Sequence, residues 1–107
     1  GLCGITELMR IGKMAARYGV DACPHSWHNI LMGLANGHAV AALPNGRVLE
    51  LCMIQGPLQW DMLAERPPTE DGHLIIGKRA GLAAELAQDV EGRFPYIDGG
   101  YALTVQR

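Results

Sequence analysis

The chain has 107 residues, 49% of them hydrophobic, and a formal charge of −2, which fits soluble globular material of at most one domain. Its nine basic residues are scattered, only Lys78 and Arg79 being neighbours, without the clustered Lys and Arg that a phosphate backbone attracts, so no nucleic-acid partner is expected. The longest apolar stretch, residues 30–44, is interrupted by Asn36 and His38 and falls short of the roughly 20 residues that cross a bilayer, so no membrane partner is expected.

Along residues 6–18, Leu8, Ile11, Ala15 and Tyr18 recur at helical spacing, with Thr6 placed to cap the start and Gly19 to end the helix. Residues 20–23 are too few for a helix and are stopped by Pro24, which predicts a short strand. Residues 29–43 are helical again, with Asn29 as cap and a high density of small residues, among them Gly33, Ala35, Gly37 and Ala39. Small side chains let such a helix lie close against a sheet. After the turn at residues 44–46, residues 48–54 are nearly all apolar, as a strand buried on both faces would be. Beyond Gly56 the prolines Pro57, Pro67 and Pro68, the acidic turn at residues 70–72 and a short apolar run at 74–76 read as a tail that wraps over something, with little core of its own.

Helix, strand, helix, strand with short loops implies an α/β protein with a parallel sheet, either doubly wound or a barrel. Two parallel strands do not make a stable sheet alone, and a complete (β/α)8 barrel takes about 250 residues. Gly1 opens in mid-pattern, with no initiator Met and no signal-peptide pattern, so the chain is expected to be the last part of a larger protein. Cys3, Cys23 and Cys52 are odd in number and show no CxxC spacing, which argues against a disulfide framework or zinc knuckle and for a reducing, cytoplasmic setting.

In parallel α/β architectures, reactive side chains sit at the C-terminal ends of strands. His25 and Glu50 fall at or near such ends, and histidine is the side chain whose ordinary titration suits proton transfer near neutral pH. Abstracting a proton next to a carboxylate also needs stabilisation of the enediolate, usually by a divalent metal held by carboxylates. The chain offers no carboxylate cluster for one.

Four stretches in order, "CGITELMRIGKMAARYGV", "CPHSWHN", "ANGHAVAALPNGRVLEL" and "DGHLIIGKRAGLAAEL", resemble the C-terminal region of the enolase superfamily, in its mandelate racemase / muconate lactonizing enzyme branch, and specifically its sugar-acid dehydratases. The resemblance covers nearly the whole chain. It implies the C-terminal part of a modified TIM barrel, (β/α)7β. Residues 1–56 would supply helix 6, strand 7, helix 7 and strand 8, and residues 57–107 a tail returning to an α+β capping domain. Position by position, His25 matches the general acid/base at the end of the seventh strand. Glu50 matches the glutamate at the end of the eighth, which hydrogen-bonds the substrate carboxylate or enediolate. Trp27, beside His25, would wall the substrate pocket.

What the resemblance implies chemically is Mg²⁺-dependent abstraction of the proton α to a carboxylate, the superfamily using a Lys or His base with Mg²⁺. The first expectation is an aldonate or aldarate dehydratase acting on a small-molecule carboxylate, as a homo-oligomer when complete. A hydroxy-acid racemase or epimerase and a non-catalytic truncated chain are the alternatives. The Mg²⁺ ligands, the lysines of the second strand and the aspartate that orients the histidine are expected upstream of Gly1, so the isolated chain is expected to be inactive. Cys3 stands where the family has the first glycine of "GGIT", and "GKRAGLAAEL" lacks a proline and a glycine of the closing pattern, which bears on the path of the tail.

Other groups have plainer readings. Glu50 could pair with Arg47. His28 reads as a loop or first-turn residue, His38 as a satisfied helix histidine, and Trp60 as a packing group. Cys23, His25 and His28 lack a fourth ligand for a metal site.

Overall fold

The computed structural model describes residues 4–27, 29–52 and 56–98. Helix α1 spans Gly4–Ala16, so Thr6 lies inside the helix and does not cap it. Gly4 opens the helix with φ +68°, a left-handed conformation that is costly for a β-branched residue such as threonine. At the other end Gly19 has φ +67°, and the N–H groups of Gly19 and Val20 donate to the carbonyls of Ala16 and Ala15 at 3.2 and 3.1 Å. This is the glycine stop expected from the sequence. Tyr18 falls beyond the helix and is 80% exposed, so it is not part of the apolar face. On the outer surface Arg10 donates to Glu7 one turn away, and that hydrogen bond holds the Glu7 carboxyl below the usual carboxylate range. Both groups stand in water, where such a pair adds little stability.

Asn29 starts helix α2, Ile30–Ala42, as its sequence position suggests. Its backbone is extended, and its side-chain oxygen accepts the Met32 N–H at 2.9 Å, satisfying a donor that every helix start leaves open. The small residues of α2 do what their size permits. A Cβ added at Gly37 would lie 2.8 Å from Ile76 Cδ1 and 3.3 Å from Leu49 Cδ2, so both side chains reach the helix backbone because glycine leaves the space.

The segment expected as the first strand pairs at a single point, with the turn that precedes the second. Ala22 and Gly46 form an isolated parallel bridge, carried by the Ala22 N–H donating to the Asn45 carbonyl at 2.9 Å. Pro24 then removes a donor that would extend the pairing. No strand is formed along residues 48–52, and residues 53–55 lie outside the described residues. Leu49 and Leu51 lie toward α2, against Gly37 and Gly33. Val48, pointing the other way, is 60% exposed. The segment is therefore buried on one face and open on the other among the described residues, because only α2 covers it. Among the described residues the sheet found is a two-stranded antiparallel hairpin, and parallel pairing is limited to the Ala22–Gly46 bridge.

That hairpin belongs to the second half. Short helix α3, Pro57–Trp60, leads to a chain reversal, then to β1 (Thr69–Glu70) and β2 (His73–Leu74), and later to α4, Val90–Arg93. Asp71 and Gly72 join β1 to β2 with φ +46° and +76°, the two positive values that a two-residue hairpin turn requires. Leu63 and Leu86 form an antiparallel bridge farther along. This half packs on α2: Ile30 and Leu34, each 1% exposed, meet Leu63, with Trp60, Met62, Leu74, Leu82 and Ala84 around them. Its apolar side chains thus complete the core of α2, and Trp60 is a packing group as expected.

The turn after α2 ties the first half together. Asn45, buried, donates from Nδ2 to the carbonyls of Gly12 and Val20 at 3.0 and 2.7 Å. A Cβ on neighbouring Gly46 would sit 2.0 Å from the Val40 carbonyl oxygen. Gly46→Ala is therefore expected to destabilise the chain by roughly 1–3 kcal/mol, the usual cost of overpacking. Gly56→Ala, where an added Cβ meets nothing within 4 Å, should stay within about 0.5 kcal/mol. Urea unfolding of the two variants side by side checks this.

Candidate active site

The Ala22–Gly46 bridge fixes where the next residues emerge. His25 follows Ala22 by three positions and Glu50 follows Gly46 by four, so at about 3.3 Å per extended residue the two side chains leave at similar heights on the same end. Alternation then sorts their faces. Leu49 and Leu51 lie against α2, which turns Glu50 to the opposite side. Ser26 faces α2 and is 2% exposed, its Oγ accepting from Asn36 Nδ2 at 2.8 Å, which turns His25 to the Glu50 side.

On that side His25 Nδ1 stands 2.7 Å from Glu50 Oε1. The imidazole also stacks on the indole of Trp27, with ring centroids 5.9 Å apart and planes 17° from parallel. His25, Trp27 and Glu50, three residues singled out in the sequence, are thus brought together. The neutral tautomer that satisfies the contact carries its proton on Nδ1 and donates it to the carboxylate, an assignment made from the geometry. Nε2 is then the nitrogen left to exchange a proton with another molecule. When Nε2 gains a proton, the imidazolium is already paired with a carboxylate, an arrangement that holds the ring in one orientation. The pair is open to solvent, with the His25 side chain 70% and the Glu50 side chain 37% exposed.

Arg47 does not compete for Glu50. Its guanidinium lies 3.6 Å from Asp21, both side chains being well exposed. His38 departs from its expected role as a satisfied helix histidine: its Nε2 is buried without a hydrogen-bond partner among the described residues. His28 lies outside the described residues. Asn36 was not singled out as a functional residue, yet it contacts the His25 segment from α2 through the His25 carbonyl and the Ser26 hydroxyl. Its signal in the sequence was a lone amide inside an apolar helix. Gln59, buried, donates to the Cys52 carbonyl at 2.8 Å and helps line a small cavity with Ser26, Trp27, Ile30, Leu51 and Cys52. The cavity holds about 10 Å³, room for roughly one water molecule.

No group of three or more His, Cys, Asp or Glu side chains among the described residues could hold a metal ion. Those residues therefore do not form the Mg²⁺ site that the resemblance implies, and no step can be assigned through one here. No helix among them is long and apolar enough to cross a membrane.

The family model for enolase C-terminal domain-like proteins matches residues 2–90. The chain belongs to this family. Within the enolase superfamily that places it in the mandelate racemase and muconate lactonizing enzyme branch. It is also similar to arabinonate dehydratase of Saccharolobus solfataricus, with 31% identity over 87 residues, which cover 81% of this chain and 23% of that enzyme. The chain thus spans about a quarter of the length of the curated relative it matches. No solved structure matches it.

The stacked pair gives an optical readout, because a protonated imidazole against an indole quenches its fluorescence. Trp27 emission is expected to fall on acidification, when the stacked imidazole takes up a proton. His25→Asn should remove that pH dependence while leaving the emission of Trp60. A pH titration of both proteins by fluorescence checks it, and identical titration curves would mean the two rings are not in contact.

Proposed function

We propose that this chain supplies the acid/base half of an active site for dehydration of a sugar acid, an aldonate or aldarate, in a protein longer than these 107 residues. The observation that carries the reading is the 2.7 Å contact between His25 Nδ1 and Glu50 Oε1, which leaves Nε2 directed to a substrate. Membership of the enolase C-terminal domain-like family and similarity to an arabinonate dehydratase support the same chemistry.

In this reading Nε2 of His25 faces one side of a bound 2,3-dihydroxy acid. The net reaction removes hydrogen from the carbon next to the carboxylate and hydroxide from the following carbon. His25 takes up the proton, becomes imidazolium beside Glu50, and gives a proton to the departing hydroxyl, so that water leaves and the imidazole is restored. The enol left behind tautomerises to a 2-keto-3-deoxy acid. Glu50 orients the ring and stabilises its charge, and its second carboxylate oxygen remains to accept a hydrogen bond from a substrate hydroxyl. Trp27 forms one wall and keeps the imidazole plane fixed. Enolase-superfamily sites stabilise the enediolate with Mg²⁺, and the residues that would bind it belong outside those described here. Further expectations of the reading are a seventh and an eighth barrel strand around residues 20–25 and 48–54, a cytoplasmic setting and a homo-oligomer.

The test uses the complete protein that contains this chain, Mg²⁺ and a panel of acid sugars including arabinonate, with detection of the 2-keto acid. Wild-type protein should turn over at least one member of the panel. His25→Asn keeps a polar group of similar reach but removes the titrating nitrogen, and should lower turnover by about 10²- to 10⁴-fold with folding retained. Near-normal turnover by His25→Asn, or exchange of the α-hydrogen for deuterium without loss of water, would remove the dehydratase reading.

Glu50→Gln retains a hydrogen-bond acceptor for Nδ1 but lacks the negative charge that stabilises the imidazolium. Turnover should fall by about a hundredfold with a smaller change in KM, the pattern of an interaction made mainly in the transition state. A variant with unchanged kcat and a lowered Tm would make Glu50 a structural acid.

A further inference from the structure

Asn36 sits in the middle of α2, 7% exposed, in a helix otherwise built from apolar and small residues apart from His38. Asparagine is a poor helix-interior residue, and burying its amide is unfavourable unless the polar atoms find partners. Both partners of its Nδ2 lie in one place outside the helix. The group donates to the His25 carbonyl at 3.1 Å and to Ser26 Oγ at 2.8 Å, which uses both of its hydrogens.

These acceptors belong to consecutive residues, so a single side chain fixes the peptide unit between them. Ser26 is 2% exposed and anchored, whereas the side chain of His25 on the opposite face is 70% exposed. No tight packing aims the imidazole. Its direction follows from the backbone at residue 25, refined by Glu50 and Trp27. A side chain whose aim depends on the backbone that carries it is sensitive to that backbone's support, and a displacement of about 1 Å at a reacting group can cost on the order of a hundredfold in rate.

We propose that Asn36 is a positioning residue for His25: from the buried side of the chain it clamps the His25–Ser26 peptide and so holds the imidazole against Glu50 and Trp27. Its relevance to catalysis rests on the reading of His25 as the acid/base group, but the clamp itself does not.

The test begins with the 107-residue chain and proton NMR, because the Trp27 ring displaces the His25 ring resonances from their positions in a free histidine. In Asn36→Ala the His25 resonances should move toward the free-histidine positions while the nuclear Overhauser contacts between Gly12 and Leu43 persist. Ser26→Ala removes one acceptor and should produce a smaller movement in the same direction. Should Asn36→Ala fail to fold, Ser26→Ala decides alone. His25 resonances that stay in place in the folded variants overturn the proposal, and Asn36 is then only a satisfied core amide. In the complete protein, where His25→Asn is itself impaired, Asn36→Ala should lower kcat by about ten- to a hundredfold with KM changed less, and unchanged kcat beside an impaired His25→Asn would also overturn it. Because the NMR measurement needs no turnover, its failure leaves the dehydratase reading standing, and an active His25→Asn protein leaves the clamp standing.

Discussion

The hydrogen bond from the Ala22 N–H to the Asn45 carbonyl, at 2.9 Å, sets the register on which the site depends. It lies between a segment that follows α1 and the turn that ends α2, and it makes the two chains run parallel at one point. Asn45 reinforces it by reaching back to the carbonyls of Gly12 and Val20. Gly46 allows it, since any side chain there would run into the Val40 carbonyl. With this register set, His25 and Glu50 emerge at the same end. Their offsets of three and four residues differ in parity, so a regular parallel ladder would turn them to opposite faces; here residues 23–27 and 47–50 form no strand, and the two side chains meet on one side.

The two faces then do different work. Ser26, Leu49 and Leu51 face α2, where Asn36, Gly37 and Gly33 receive them. On the other face stand His25, Glu50 and Trp27, exposed to solvent and joined by a hydrogen bond and a ring stack. Among the described residues the second half packs on α2 through Leu63, Trp60 and Met62 and reaches Gly37 through Ile76, so the helix that supports the site is held by both halves. Chemistry is thereby left to exposed groups on a supported backbone. An exposed ion pair adds little to stability, so the value of the His25–Glu50 contact lies in orientation and, under the proposed function, in proton transfer.

Much of this was legible in the sequence where a local rule governs the outcome. The cap at Asn29, the glycine stop at Gly19 and the two-residue turn at Asp71 and Gly72 each depend on a few neighbouring atoms. The candidates His25, Trp27 and Glu50 were legible through the resemblance to a family, and their meeting was not visible in the residues alone. Regular strands at residues 20–23 and 48–54 were expected from apolar runs, but a run becomes a strand only when partners supply a ladder of hydrogen bonds. Here residues 20–23 have one bridge, at Ala22, and residues 48–52 have none. Thr6 is not a cap because the helix begins two residues earlier, at Gly4. Asn36 and Asn45 were hidden for another reason: their partners lie 10 to 33 positions away in the sequence, and no periodicity reports contacts at such separations. Arg47 showed the reverse error, since proximity in sequence suggested Glu50 as a partner and the fold gave it Asp21.

The central claim is that Glu50 holds His25 by Nδ1 and leaves Nε2 for proton transfer. A long-range ¹H–¹⁵N spectrum of the ¹⁵N-labelled chain reads this directly at about pH 8, where an ordinary histidine is neutral. The account predicts the Nδ1–H tautomer for His25, with Nε2 showing the shift of an unprotonated ring nitrogen. A predominantly Nε2–H tautomer, the form a free histidine favours in water, would contradict it.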